Sequence, residues 1–268
     1  MSHAVSDESF TPAVGAVPAR TAIKVAAVVL IGSVAVAALA GCSAGVGGLQ
    51  HRTKNYAVSG QVQTLAVNAR VGGVHVIGGD SAKVSVTEHI SFRHTAPVTT
   101  HRAAAGTLTL DSSCPAQDAC SVGYDITVPR SMTVRVDDNV GTISLESLSG
   151  QVTAHSDAGN IDMASVSGPI EIAGHAGSIL GRHVSSAHVN LRMSAGRIEV
   201  TFSVAPATIA ATVAVGSITL RVPRNVPYAV DASALFGSTS VSVTRSAASP
   251  HAIVATVATG SVTIEPAP

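Results

Sequence analysis

Carboxylates that could act as an acid–base pair are few in this 268-residue chain. Beyond residue 42, Asp137 and Asp138 form the one adjacent acidic pair. Parallel β-helix enzymes that cleave polysaccharides gather such groups in one cleft for general acid–base catalysis. On a strand, neighbouring side chains point to opposite faces, and Asp162, Glu171 and Glu199 fall at differing outward positions. We therefore predict no catalytic residues. A cleft with two or more carboxylates would favour the alternative, a carbohydrate-active enzyme or a glycan-binding module.

The 11 histidines raise the question of a metal site. The densest group comprises His155, His175, His183 and His188. No two histidines stand two residues apart, the spacing that puts two rings on one strand face, and no cysteine joins the group. We predict solvated corner histidines, no metal ligands and no cofactor. Weak zinc binding is the alternative, because the separation of His155 and His175 would let them become neighbours in a stacked repeat.

Cys114 and Cys120 bracket the turn-like segment CPAQDAC, which separates strand-like runs at 107–111 and 124–128. Two cysteines across such a loop predict a local disulfide in an oxidising compartment. A metal site is the rival interpretation, but no second cysteine or histidine pair stands nearby at ligand spacing. A loop this short closes little chain entropy, so we expect the bond to fasten one hairpin.

The third cysteine, Cys42, follows a segment of a different kind. Residues 25–41, VAAVVLIGSVAVAALAG, are apolar and follow two basic residues, as in the hydrophobic region of a signal peptide. The Leu-Ala-Gly-Cys that ends the segment resembles a bacterial lipobox, whose cysteine receives a diacylglyceryl group. An uncleaved single-pass helix is the alternative. Residues 1–42 are thus predicted to be a signal peptide with a lipobox or a membrane anchor, and 43–55 a linker. The rest of the chain is then expected on the extracytoplasmic face of the cell membrane.

Composition narrows the class of partner. Charged residues make up 12% of the chain and balance to a net charge of zero, so no basic footprint for nucleic acid is present. The chain is 46% hydrophobic but only 3% aromatic. This combination is typical of a core built from many small and β-branched side chains.

Glycine recurs regularly in the second half of the chain, every nine residues from Gly141 to Gly177 and with small slips beyond. Aliphatic residues stand two and four positions after each glycine, and polar residues mostly one and three after. This pattern predicts short strands with one buried and one exposed face. The structural glycines that we infer are Gly141, Gly150, Gly159, Gly168, Gly177, Gly196 and Gly216.

Two kinds of corner alternate along the repeat. Gly150 and Gly168 follow serine, whereas Gly159, Gly177 and Gly196 follow alanine. The true period is therefore about 18 residues, and a chain that returns to the same corner in each turn forms a solenoid.

The predicted fold is all-β. It is a right-handed parallel β-solenoid with about 18 residues per turn over residues 129–266, preceded by an irregular β-rich cap over residues 56–128. We expect essentially no helix beyond residue 42. The strand at Gly260–Ile264 is expected near the far end, where it would offer a pairing edge to a partner. An antiparallel β-sandwich binding module is a further alternative.

The nearest functional rival for a nine-residue glycine repeat is the calcium-binding β-roll. That fold needs aspartates that recur in every turn and coordinate ions between stacked corners. Here Asp157 and Asp162 occupy different phases, and neighbouring repeats place Val166, Glu171 and His175 in the corresponding positions. The repeat therefore does not predict calcium sites.

The segment Tyr124–Pro129, YDITVP, is followed by Gly-x-Ile-x-Leu units with Ser-Gly and Ala-Gly corners. Together they resemble the putative adhesin family of bacterial envelope proteins, over about residues 56–266. The resemblance implies an N-terminal membrane anchor and a β-solenoid ectodomain, and it transfers no catalytic residues. We therefore expect a non-enzymatic envelope protein that acts as an adhesin, scaffold or sensor. Its expected partners are the cytoplasmic membrane, through a lipid or helical anchor, and an envelope protein or cell-wall polymer.

Overall fold

The computed structural model describes residues 48–115 and 118–268, and this part of the chain is built from β-strands without a helix. None of its segments is therefore a helix long and apolar enough to cross a membrane. The first seven strands are β1 Gln50–Val58, β2 Thr64–Val71, β3 Val74–Gly79, β4 Val84–Phe92, β5 Val98–Ala104, β6 Thr107–Ser113 and β7 Cys120–Pro129. The longer strands that follow are β8 Thr133–Glu146, β9 Val152–Ala164, β10 Ile170–Val184, β11 His188–Phe202, β12 Thr208–Val222, β13 Ala229–Val241 and β14 Ala252–Pro266.

Strands β8 to β14 each form one turn of a parallel stack. Each pairs in register with the next turn, so that Gly141 lies beside Gly159 and Gly159 beside Gly177. In every turn but the outermost, β13, side chains on both sides of the glycine are buried, as Ala154 and Ile161 illustrate in β9. The segment before the glycine and the segment after it bury side chains in the same core. The strand must therefore bend back at the glycine. The predicted all-β parallel solenoid with about 18 residues per turn is confirmed.

The core consists of aliphatic ladders that run through the stack. One ladder places the same buried position of successive turns in register, and its members are Ile143, Ile161, Ile179, Ile198, Ile218 and Val262. Burial of one such side chain stabilises the fold by about 1.5–3 kcal/mol. Repetition of this contribution lets a chain with few aromatic residues form a continuous core.

The N-terminal region adds two more layers to the solenoid. Strands β2 and β3 pair in parallel with the two halves of β8, and β6 and β7 pair in parallel with β2 and β3. The region predicted as an irregular cap over 56–128 therefore contains turns of the stack at 64–79 and 107–129. The nine-residue glycine spacing does not reveal them, because one turn bends at Gly72 and Gly73 and the other at Val122. Antiparallel strands β5, β4 and β1 close this end of the stack.

The structure places the start of the fold earlier than expected. The linker was predicted over 43–55, but β1 begins at Gln50 and pairs antiparallel with β4 along its whole length. Most side chains of β1 are exposed on both faces, so its sequence carries no alternation of polar and apolar residues. Backbone hydrogen bonds to β4 define this strand. The predicted anchor at residues 1–42 lies outside the described residues.

The far end of the stack also differs from expectation. The strand that contains Gly260 and Ile264 belongs to β14, which lies between β12 and β13. The outermost strand is β13, which pairs with β14 on one side. Within the described residues, no strand pairs with its other side, and an isolated bridge joins Tyr228, just before β13, to Arg245, just after it. The edge available for pairing is therefore that of β13, where Leu235 and Phe236 are exposed.

Candidate functional site

The repeat glycines form two columns at the corners of the solenoid. In the column that follows alanine, Gly177 has a φ of +136°, and a Cβ built on it would lie 1.8 Å from the carbonyl oxygen of Gly159. In the column that follows serine, a Cβ on Gly168 would lie 1.9 Å from the carbonyl oxygen of Gly150. Backbones of successive turns thus approach so closely that only glycine fits. Gly141, Gly196 and Gly216 stack in the first column in the same way. These residues determine shape and offer no side chain for chemistry.

Cys114 and Cys120 form a disulfide with a Cα–Cα distance of 5.8 Å. The bond joins the end of β6 to the start of β7, but these strands do not pair with each other. The expectation that it fastens a hairpin is wrong. Strands β6 and β7 are the two halves of one solenoid turn, and Val122 lies at its corner, where a Cβ on Gly72 of the next turn would stand 2.2 Å from the carbonyl oxygen of Val122.

A band of polar side chains crosses five neighbouring strands on the outside of the solenoid, just before the corner. We name this band the outer polar face. Its members are Asn68, Arg70, Asp111, Asp137, Asn139, His155, Asp157 and His175. The strand register explains the band. Asn68 lies between Asp111 and Asp137, and Asp137 lies beside His155.

The N-terminal part of the outer polar face is a cleft of about 390 Å³. Its lining includes the carboxylates of Asp111 and Asp137 together with Arg70. The amide of Asn68 donates a hydrogen bond of 2.6 Å to Asp111. One strand, β2, separates the strands that carry the two carboxylates, so their backbones are about 10 Å apart. The sequence prediction of scattered carboxylates missed this pair, because Asp111 and Asp137 meet only through the insertion of β2 between β6 and β8.

Asp137 and Asp138 point to opposite faces, as expected. Asp137 is exposed in the cleft, whereas Asp138 is fully buried behind the corner. Burial raises the pKa of Asp138 to about 6, and the charges of Asp137 and Asp157 add to the shift. The backbone amide of Val140 lowers the pKa and so offsets part of this shift. Its effect is limited, because neither carboxyl oxygen of Asp138 has a hydrogen-bond partner of good geometry. The sequence gives no sign of this burial, because Asp138 occupies an inward position that other turns fill with Ser156 or Gly174.

The C-terminal part of the outer polar face gathers His155, Asp157 and His175. Nε2 of His155 lies 3.1 Å from Oδ1 of Asp157, and Nδ1 of His175 lies 2.9 Å from the same oxygen. The two rings meet edge to face with centroids 5.2 Å apart. Hydrogen bonds from His155 and His175 lower the pKa of Asp157. On its other side, Asn139 donates a hydrogen bond of 3.2 Å to Oδ2 of Asp157.

A family model, Toastrack DUF4097, matches residues 121–265, which is more than half of the chain. The chain belongs to the Toastrack DUF4097 family. The matched segment begins in β7 and contains every turn from β8 onward. Most of the outer polar face lies within it, whereas Asn68, Arg70 and Asp111 precede it. No curated protein sequence matches the chain.

Solved structures similar to this Toastrack chain include the following two. One, from Clostridium sporogenes, is named a putative cell adhesion protein. It shares 10% identity with a TM-score of 0.35, over 81% of this chain and 99% of the other. The second, from Bacteroides fragilis, is named a putative adhesin. It shares 14% identity with a TM-score of 0.44, over 81% of this chain and 96% of the other.

The remaining residues singled out by the sequence lie apart from the site. His183 lies near the end of β10 with a positive φ of 53°, and His188 forms a hydrogen bond with Thr208 on the neighbouring strand β12. Glu199 forms an ion pair with Arg221, which also pairs with Glu265. Cys42 lies outside the described residues. Of the four densest histidines, the Toastrack stack thus brings together two.

The sequence offered a signal for the histidine cluster that the histidine spacing alone missed. His155 and Asp157 are two residues apart on one strand face, and Asp157 and His175 are separated by one 18-residue turn. Asp157 therefore connects His155 and His175, whose own separation matches neither the two-residue spacing along a strand nor the 18-residue turn. A search for histidine and carboxylate together at both spacings would have found the cluster.

Proposed function

We propose that this Toastrack protein is a non-enzymatic, membrane-tethered protein of the cell envelope, and that its solenoid binds a polymer or protein partner outside the cytoplasmic membrane. The outer polar face carries the proposal. Its side chains come from five strands in register, so they present hydrogen-bond donors and acceptors at regular spacing over a rigid surface. A polymer with hydroxyl or amide groups can make many such bonds at once.

The cleft supplies the most selective part of this surface. It combines a guanidinium group, two carboxylates and the amides of Asn68 and Asn139, a mixture that recognises a neutral, hydroxyl-rich chain better than a strongly charged one. The net charge of zero points in the same direction. The names of the two solved structures give those proteins an adhesive role, and the proposal does not rest on them.

The binding test uses the full chain in detergent, immobilised and exposed to cell-wall polymer or crosslinked envelope extract. The double variant Asn68→Ala/Asp137→Ala removes the centre of the cleft, and Arg197→Ala is a matched control on the outside of the solenoid after the corner. We expect the double variant to lose most of the retained partner and the control to keep it. Equal retention by both variants, or no retention above background by the unmodified chain, contradicts the proposal.

The tether has its own test. The apolar segment at 25–41 followed by Cys42 supports attachment through a lipid. Cells fed labelled palmitate should incorporate it into this protein, and Cys42→Ala should abolish the incorporation. If the original chain takes up no label but stays in the membrane fraction, the anchor is a helix instead. Release of the unmodified chain into the medium contradicts both forms of anchor.

The second candidate function is a carbohydrate-active enzyme, and the pair Asp111 and Asp137 is the observation that favours it. Glycoside hydrolysis uses two carboxylates on either side of the scissile bond, and the wider separations invert the anomeric centre. Incubation of the full chain with cell-wall glycans tests it through the release of reducing ends. If the original chain releases reducing ends, and Asp111→Asn and Asp137→Asn each abolish this release, the protein is an enzyme. Binding without release would leave the non-enzymatic proposal in place.

A further inference from the structure

We propose that His155, Asp157 and His175 form a binding site for a divalent transition-metal ion of the zinc class on the outer polar face. These three residues are the one group in residues 48–115 and 118–268 whose histidine, cysteine or carboxylate donors lie within 4.8 Å of one another. The function proposed above does not require this site, and the site does not require that function.

The solenoid itself brings the donors together. In the parallel pairing of β9 with β10, Ser156 faces Gly174 and Ala158 faces Ala176, so Asp157 faces His175 from the next turn. His155 precedes Asp157 by two residues and therefore points to the same outer side. The site needs two turns, and it forms only where adjacent turns stack in this register.

The donor atoms converge on one point. Nε2 of His155 and Nδ1 of His175 both approach Oδ1 of Asp157, at 3.1 and 2.9 Å. Zinc binds imidazole nitrogen at about 2.0–2.1 Å and carboxylate oxygen at about 2.0–2.2 Å. Because all three donor atoms lie within 4.8 Å of one another, one ion can bind them together after a side-chain adjustment.

The chemistry of the set favours zinc over calcium or magnesium. Two imidazoles and one carboxylate suit a borderline ion, whereas calcium and magnesium prefer oxygen ligands alone. Asn139 holds Oδ2 of Asp157, which leaves Oδ1 turned towards the histidines, as outer partners of metal ligands do. The side chains of His155, Asp157 and His175 are 34%, 44% and 63% exposed, so a fourth ligand, water or a donor from a partner, has access.

A second group in the same chain provides a comparison. His75 and His89 both approach Asp125, but they contact different oxygens, at 3.6 and 2.8 Å, and His75 also lies 3.4 Å from Glu146. The donors of this group do not converge on one point. It has the same residue types without the same geometry, and it therefore serves as an internal control.

The test uses the full chain in detergent without a histidine tag, titrated with Zn²⁺ by calorimetry. We expect saturable binding of one ion per chain, and His175→Ala and His155→Ala should each weaken it at least about tenfold. His89→Ala should leave the affinity unchanged, and Asn139→Ala should lower it about tenfold, since it removes only the outer partner of the ligand. Thermal unfolding without metal checks that each variant is folded.

The chain loaded with Co²⁺ gives a readout of ligand geometry. It should show the intense visible absorption of a four-coordinate ion, and His175→Ala should lose it. Two results overturn the site: no saturable Zn²⁺ binding by the folded chain, or equal weakening by His89→Ala and His175→Ala. The second result would mean that any surface histidine beside a carboxylate binds equally well.

Discussion

Gly177 lies so close to Gly159 of the preceding turn that a Cβ on Gly177 would stand 1.8 Å from the Gly159 carbonyl oxygen. No side-chain rotation relieves such a contact, because both atoms belong to the covalent frame of the backbone. The stack spacing of about 4.8 Å is set by hydrogen bonds along the whole turn, so one corner cannot open alone. Each corner is therefore as constrained as any core position.

The first prediction is that Gly177→Ala lowers the free energy of unfolding by more than about 3 kcal/mol, because the new Cβ meets backbone and φ is positive. Chemical unfolding of the full chain in detergent measures the change. Two other glycines separate the causes. Gly168→Ala meets backbone at 1.9 Å without a positive φ, whereas Gly60→Ala has a φ of +146° with nothing within 4 Å.

Gly60→Ala should thus cost only about 1–2 kcal/mol, from backbone strain alone. Gly168→Ala should come close to Gly177→Ala. If Gly168→Ala cost little while Gly60→Ala cost as much as Gly177→Ala, conformational strain and not stacking would explain the glycine columns.

The second prediction concerns the buried carboxyl group of Asp138. Its pKa is about 6 in the folded chain, against an ordinary value of 3.8. The folded chain therefore keeps a proton that the unfolded chain releases, and the free energy of unfolding falls as the pH rises from about 4 through about 6. The loss is complete above this window and amounts to about 3 kcal/mol.

Asp138→Asn should remove this loss, so the variant should be more stable than the original chain at pH 7.5 and show a weaker dependence on pH. Unfolding at pH 4.5 and 7.5 measures both effects. Asp231→Asn, exposed on the distant strand β13, is the control and should keep the original dependence. An unchanged pH dependence in Asp138→Asn would contradict the assignment.

The third prediction tests β1. The hydroxyl of Tyr56 donates a hydrogen bond of 2.8 Å to Glu88, which is 1% exposed, and Nζ of Lys54 lies 3.6 Å from the same carboxylate. Burial and the hydrogen bond to Glu88 raise the pKa of Tyr56. Tyr56→Phe leaves the buried carboxylate with fewer partners and should cost about 2 kcal/mol in unfolding free energy. Thr53→Val, exposed on the same strand, should cost almost nothing. Equal stability of the two variants would mean that β1 does not pair with β4.

The fourth prediction concerns the disulfide. The double variant Cys114→Ser/Cys120→Ser should lower the free energy of unfolding by about 2 kcal/mol, since the bond closes a short loop. The effect should fall on the turn formed by β6 and β7, so amide exchange should rise there before it rises in β9 to β11. Reductant should have the same effect on the original chain and none on the double variant. Faster exchange spread evenly over all turns would contradict a local role.

The repeat region was predictable because its signal is local. From Gly141 to Gly216, each turn carries a glycine and alternating aliphatic residues within a few positions, so the period and the burial could be read together. The alternation of Ser-Gly and Ala-Gly corners was enough to distinguish a solenoid from a meander.

The ends and the site were not predictable in this way, because they depend on pairing between distant segments. No pattern near Asn68 indicates that β2 will lie between β6, which carries Asp111, and β8, which carries Asp137. The exposed strand β1, which contains Tyr56, has no alternation of polar and apolar residues. The histidine cluster falls between these cases. Its register follows from the repeat, but only when Asp157 is considered together with His155 and His175.

The order of strands at the C-terminal end has a consequence for the way the chain is made. Strand β14 follows β13 in the chain but lies inside the stack, between β12 and β13. A chain that emerges from its N-terminus can stack β8 to β12 as they appear, but β13 has no strand to pair with until β14 has been synthesised. Loss of residues 252–268 would therefore cost two layers instead of one. Duplication of a single turn could lengthen the interior of the array, whereas duplication at this end would have to copy β13 and β14 together.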